Sequence, residues 1–168
     1  MFNKGDYVVY GMNGVCRVAD IKEENFSGKR SLYYILEPAI EPNSVIYAPT
    51  ENGKVNIRAL STEEEIQNVL NIISSATPEW EENDRVREEG FKNTLRSGVL
   101  TDIALMAKSL YLHKLILIEN GRKLRISDAN ALKSAEEFVL CEFAQVMGTT
   151  REEALEYILY IVSGSLEV

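Results

Sequence analysis

The chain has 168 residues, 45% of them hydrophobic, and a net charge of −8, which suits one ordinary domain or two small ones with packed cores and excludes a disordered tail. Residues 1–60 hold seven basic and seven acidic side chains, so the whole negative excess lies in residues 61–168. Strong autonomous binding to nucleic acid, which depends on neutralising phosphates, is therefore disfavoured. Cys16 and Cys141 share no metal-ligand spacing with each other or with His113, the one histidine, so buried free thiols are expected and neither a metal nor a cofactor is. Apolar runs such as Leu32–Leu36 and Ile158–Val162 are too short to span a bilayer, and Asp6 interrupts any signal-peptide pattern, so a cytoplasmic protein without a membrane partner is expected.

Strand-like text runs to about Ala59. Tyr7–Tyr10 is β-branched and aromatic, Gly11 to Gly14 tolerates a tight turn, and Val15–Lys22 resumes as strand, giving an opening hairpin. Further strands are predicted at Ser31–Glu37, Val45–Ala48 and Asn56–Arg58, punctuated by Ser27-Gly28, Pro42-Asn43 and Asn52-Gly53. Five short strands in sixty residues fit a small, strongly bent barrel.

From Ser61 the period changes. Thr62 with Glu65 is a capping box, and Ile66, Val69, Leu70 and Ile73 follow at helical spacing. After a break at Ser74–Pro78, a charged helix is predicted from Trp80 to Leu95, stopping near Ser97-Gly98. A third helix carries Leu100, Ile103, Ala107, Leu110 and Tyr111 and ends before Asn120-Gly121. Ser127 is positioned to cap a fourth, with Leu132, Ala135, Val139, Phe143 and Val146 on one face and Gly148 at its end. Thr150 with Glu153 makes a second capping box, opening a fifth helix through Ala154, Leu155, Ile158 and Ile161. The expected fold is α+β and multi-domain, a β-barrel over residues 1–60 and an all-α helical bundle over residues 61–168.

No phosphate loop, nucleophile elbow or paired-histidine motif occurs. The carboxylates of Glu63-Glu64-Glu65, Glu81-Glu82 and Glu88-Glu89 read as solvated helix faces or dipole-complementing charges. The chain is not expected to be an enzyme or to take a small-molecule substrate.

A Gly-Asp pair before such a strand is common in SH3-like and Tudor-like barrels. Taken with Phe2, Val8-Val9-Tyr10, Gly14-Val15 and Val45-Ile46-Tyr47-Ala48-Pro49, it resembles the amino-terminal module of the CarD/CdnL transcription regulators, a module shared with the transcription-repair coupling factor. The second half extends the likeness through T-P-E-W at Thr77–Trp80, Ser97-Gly98, Leu110-Tyr111-Leu112, and L-R-I-S-D-A-N-A-L-K-S-A-E-E-F-V-L-C-E-F-A from Leu124 to Ala144.

The resemblance implies a bacterial regulator of transcription initiation. In that family a barrel edge adds to a lobe of the RNA polymerase β subunit, and the helical domain reaches upstream promoter DNA, placing a tryptophan in the minor groove. Carried onto this sequence, the polymerase-facing residues are Glu24, Phe26, Val45, Ile46, Tyr47, Ala48 and Pro49. The DNA-facing ones are Trp80, Arg85, Arg87, Arg122, Lys123 and Arg125. An edge strand offers unpaired backbone groups to a partner strand, and an aromatic wedge can hold a distorted base step open. Glu81, Glu82, Asn83 and Asp84 follow the tryptophan where family members tend to carry basic residues, and Glu24 and Tyr47 fall where arginines are common. Promoter DNA is accordingly expected to be bound weakly and only within the polymerase complex, through a substantially exposed Trp80. The other class of reading is a non-catalytic protein-interaction module that binds polymerase or another partner without touching DNA.

Overall fold

The structure, a computed structural model, describes residues 1–26, 28–51 and 54–164. Ser27 of the expected Ser27-Gly28 break and both residues of Asn52-Gly53 lie outside them. The chain divides into two compact units, Met1–Leu60 and Ser61–Val168.

In the first unit the strands are β1 (Tyr7–Tyr10), β2 (Val15–Phe26), β3 (Lys29–Pro38), β4 (Ile46–Pro49) and β5 (Ile57–Ala59). They form one antiparallel sheet in the order β4-β3-β2-β1-β5. Alternation along the strands sends Val8, Tyr10, Cys16, Val18, Tyr34, Leu36 and Ala48 into a single core. Ile46 on β4 and Ile57 on β5, at opposite edges of the sheet, pack against that same cluster. Two edges can share one core only if the sheet curls around it, which is the expected barrel. A register shift between Val18 and Asp20 in β2 marks an irregularity of the kind that bends such sheets. Gly11 cannot be replaced without cost, because its φ is +48° and a Cβ there would meet Val55 Cγ1 at 2.5 Å.

β2 and β3 run further than their sequence pattern indicated, reaching Phe26 and beginning at Lys29. Glu23 to Phe26 has no apolar alternation, and it is cross-strand pairing down to Phe26↔Lys29 that extends the hairpin. Val45 precedes β4 rather than opening it.

The second unit contains α1 (Glu63–Ser75), α2 (Asp84–Ser97), α3 (Leu100–Glu119), α4 (Ile126–Met147) and α5 (Arg151–Gly164). Both capping boxes form. The Thr62 hydroxyl accepts from the Glu65 N–H at 3.1 Å while the Thr62 N–H donates to Glu65 at 2.8 Å, and Thr150 and Glu153 exchange the same pair at 3.1 and 2.9 Å. Ile66, Val69, Leu70 and Ile73 are the buried residues of α1, and α4 supplies Leu132, Ala135, Phe138, Val139 and Phe143 to the core. Gly148 ends α4 in the left-handed region, at φ 65°. Among the described residues, no helix is long and apolar enough to cross a membrane.

Three local expectations are corrected. α2 starts at Asp84, not Trp80, because the Asn83 side chain accepts from the Arg85 and Val86 N–H groups and so fixes the cap three residues later. Ser127 does not cap α4: the cap position is Arg125, and the Ser127 hydroxyl lies in the first turn, buried and without a hydrogen-bond partner among the described residues. In α3, Ala104, Met106 and Lys108 are buried beside Leu100, Ile103 and Leu110, while Ala107 and Tyr111 are half-buried. That helix is covered over a wider arc than one apolar stripe.

Candidate functional site

Edge position and strand register set the chemistry of β4. Its inner side pairs with β3 through Leu36↔Ile46, Ile35↔Tyr47, Tyr34↔Ala48 and Tyr33↔Pro49, and its other side faces no strand among the described residues. The Thr50 N–H donates to the Leu32 carbonyl at 3.0 Å, so the backbone groups of alternate residues, Ala48 and Ile46, also turn toward β3. Tyr47 N–H and C=O and the Pro49 C=O turn to the open edge. Pro49 brings no donor there, as is usual for proline on an edge strand.

Side chains alternate as well. Ala48 is fully buried and Ile46 packs on the core, so these two of the expected contact residues face inward and are corrected from surface to core roles. Tyr47 and Val45 are exposed and Pro49 is half-buried. The register Glu24↔Ser31, Lys22↔Tyr33 and Ile35↔Tyr47 places Glu24, Phe26, Tyr33, Tyr47 and Pro49 on one face. There Phe26 makes edge-on contacts with Tyr33 at 5.0 Å and Tyr47 at 5.5 Å between ring centroids. Tyr33 was not singled out from sequence; its parity with Tyr47 across the β3/β4 pair was the available signal.

In the second unit, Trp80 lies in the stretch between α1 and α2 and is half-buried rather than substantially exposed. Its ring stacks on His113 of α3 at 3.7 Å and 6° from parallel, meets Phe91 of α2 at 6.5 Å, and has the Arg87 guanidinium carbon 4.6 Å from its centroid. These contacts supply aromatic and cation–π attraction while leaving part of the indole accessible.

Arg87 does not face outward as a phosphate ligand must. It is buried, with Nε and Nη2 donating to Asp128 at 3.1 and 2.9 Å, Nη1 to the Glu81 carbonyl at 2.8 Å and Nη2 to Asp84 at 2.7 Å. Four donor contacts on a single guanidinium explain why it turns inward. The hydrogen bond from Arg87, and then Arg125, holds the Asp84 carboxyl below the usual carboxylate range. Arg125 is exposed but shares its charge with Asp84 and Glu88. Arg85, Arg122 and Lys123 are exposed on the surface.

His113, Asp128 and Lys108 complete this region, and none of them is among the site residues expected from the sequence. Lys108 is buried, with Nζ donating to the carbonyls of Ile73 at 2.5 Å and Ala76 at 2.6 Å at the end of α1. Burial lowers its pKa, while the carbonyls of a helix C-terminus favour its charged form.

Comparison with known proteins places two findings beside this geometry. The family model for the CarD-like/TRCF RID domain matches residues 2–61, the extent of the barrel unit. The chain is also 21% identical over 157 residues to the Bacillus subtilis (strain 168) protein named "Putative transcription factor YdeB", covering 91% of this chain and 97% of that one.

Proposed function

We propose, from the match of residues 2–61 to the CarD-like/TRCF RID domain model, that this chain is a transcription regulator that binds the β-subunit lobe of bacterial RNA polymerase. The similarity to a protein named as a transcription factor extends over both units and supports the same assignment. The observation that carries the reading is the β4 edge, where Tyr47 turns its backbone groups and its side chain outward beside Phe26 and Tyr33. Main-chain pairing supplies affinity there, and the aromatic face supplies selectivity. The helical unit contacts upstream promoter DNA through the accessible part of Trp80 together with Arg85, Arg122 and Lys123. High local concentration on the polymerase makes those weak contacts effective.

A second reading, a protein-interaction module that never touches DNA, is favoured by the burial of Arg87 and by the net charge of −8. Promoter-fragment binding measured across a salt series, with and without polymerase, separates the two. The regulator reading expects the free protein to bind DNA with Kd on the order of 10⁻⁴ M or weaker at physiological salt, and polymerase to confer a Trp80-dependent contact. Binding to polymerase with no effect of Trp80→Ala on open complexes leaves the interaction module.

A further inference from the structure

We propose that Arg87 and Asp128 are a positioning couple for Trp80, holding the stretch that carries the indole in a pre-formed presentation. The inference rests on the reading of Trp80 as the DNA contact and names the residues that fix it. Trp80 belongs to neither flanking helix, since α1 ends at Ser75 and α2 begins at Asp84. A stretch without its own hydrogen-bond ladder keeps one conformation only if side chains satisfy its backbone.

Arg87 does this next to the indole. It donates to the carbonyl of Glu81, the residue after Trp80, and lies over the indole ring. Its own direction is set by the two-point contact with Asp128, a fork that admits one geometry. Both side chains are withdrawn from solvent, Arg87 at 5% and Asp128 at 2% exposure, and Arg87 is the buried residue of α2. On the other side of Trp80, Lys108 holds the Ala76 carbonyl and the Ser109 hydroxyl contacts that of Glu79 at 3.4 Å. The stretch is thus gripped before and after the indole. Apolar residues of similar volume often stabilise as well as a buried ion pair, so the pair's distinctive contribution is direction.

Trp80 is the only tryptophan of the chain, so its emission reports this site alone. The test compares Asp128→Asn, the double variant Arg87→Met/Asp128→Leu, which refills the space without charge, and Val162→Ala, which weakens the buried face of α5 as a stability control. Acrylamide quenching is read well below each thermal midpoint, beside polymerase open-complex formation. Loosening of the stretch is expected to raise the quenching constant roughly twofold or more in the first two variants and not in the control, with the open-complex effect falling toward that of Trp80→Ala. Should Asp128→Asn fail to fold, the double variant decides. Wild-type quenching in a folded double variant overturns the proposal. Raised quenching with open complexes indifferent to Trp80→Ala upholds the positioning and removes the DNA reading instead.

Discussion

The Trp80 indole lies flat on the His113 imidazole, 3.7 Å away and 6° from parallel, joining two residues separated by the whole of α2. A half-buried ring held in this way contributes less than a core aromatic, whose loss leaves a cavity costing ~3–5 kcal/mol. Trp80→Ala is expected to cost about 1–2 kcal/mol, and His113→Ala about 0.5–1.5 kcal/mol through the lost stack. Urea unfolding followed by far-ultraviolet circular dichroism measures both. A loss of core size for Trp80→Ala would make the residue a packing element.

Neighbouring residues of β4 should behave in opposite ways. Tyr47→Asp alters an exposed side chain and is expected to change stability by no more than about 0.5 kcal/mol, while abolishing binding to an isolated polymerase β lobe. Ile46→Asp forces a carboxylate against the barrel core and should unfold the first unit, because an unpaired buried charge costs several kcal/mol, about the stability of a small domain. Calorimetric lobe titration and circular dichroism distinguish these results. Full lobe binding by a folded Tyr47→Asp protein would count against the β4 edge.

The fold was legible where one local rule decided the outcome. Thr62/Glu65 and Thr150/Glu153 announced two helices, and the β-branched and aromatic composition of Tyr7–Tyr10 announced β1. The α2 boundary was misread because Glu81 and Glu82 are good helix formers that continue the charged pattern toward Trp80, whereas the Asn83 side chain caps the helix and starts it at Asp84. Less of the candidate site could be read. Trp80, Tyr47 and Phe26 stand out as residue types, but the inward turn of Arg87 depends on Asp128, 41 residues away. Asp128 lies in the first turn of α4, a common position for an acid, and nothing local in the sequence links it to Arg87. Ile46 and Tyr47 were alike as edge residues until the β3 register assigned them to opposite faces.

Both cysteines are buried free thiols, and burial pushes the Cys16 thiol up to about 12. At pH 8 the native protein is expected to resist alkylation by iodoacetamide at both positions and to label at both once denatured, since the thiolate is the nucleophile. The sign of the linkage follows from the raised folded value. Cys16 contributes its stabilisation fully below the unfolded thiol pKa, near 8.5, and that contribution is lost progressively as pH rises from there toward about 12. Cys16→Ala should flatten this alkaline fall in chemical-denaturation curves. An equally steep fall in the variant would assign it to other groups.

Ser61 and Glu142 are joined across 81 residues, with the Ser61 N–H and hydroxyl both donating to Glu142 Oε1 at 2.9 and 2.8 Å. Ser61 immediately precedes the Thr62 cap, so this contact fixes where α1 starts against α4, and Glu142 is completely withdrawn from solvent. Glu142→Ala removes the acceptor from both Ser61 donors and leaves a void, so a loss of about 2–4 kcal/mol is expected. Glu142→Gln keeps the volume and one acceptor oxygen and should cost about 1 kcal/mol, with Ser61→Ala at about 1–2 kcal/mol. Because the two residues share one interaction, Ser61→Ala/Glu142→Ala should lose less than the sum of the single changes, giving a coupling of about 1 kcal/mol in a double-mutant cycle. Equilibrium unfolding of the four proteins supplies every corner of that cycle. Strict additivity, or a Glu142→Ala protein as stable as wild type, would show that the start of α1 is held by other contacts.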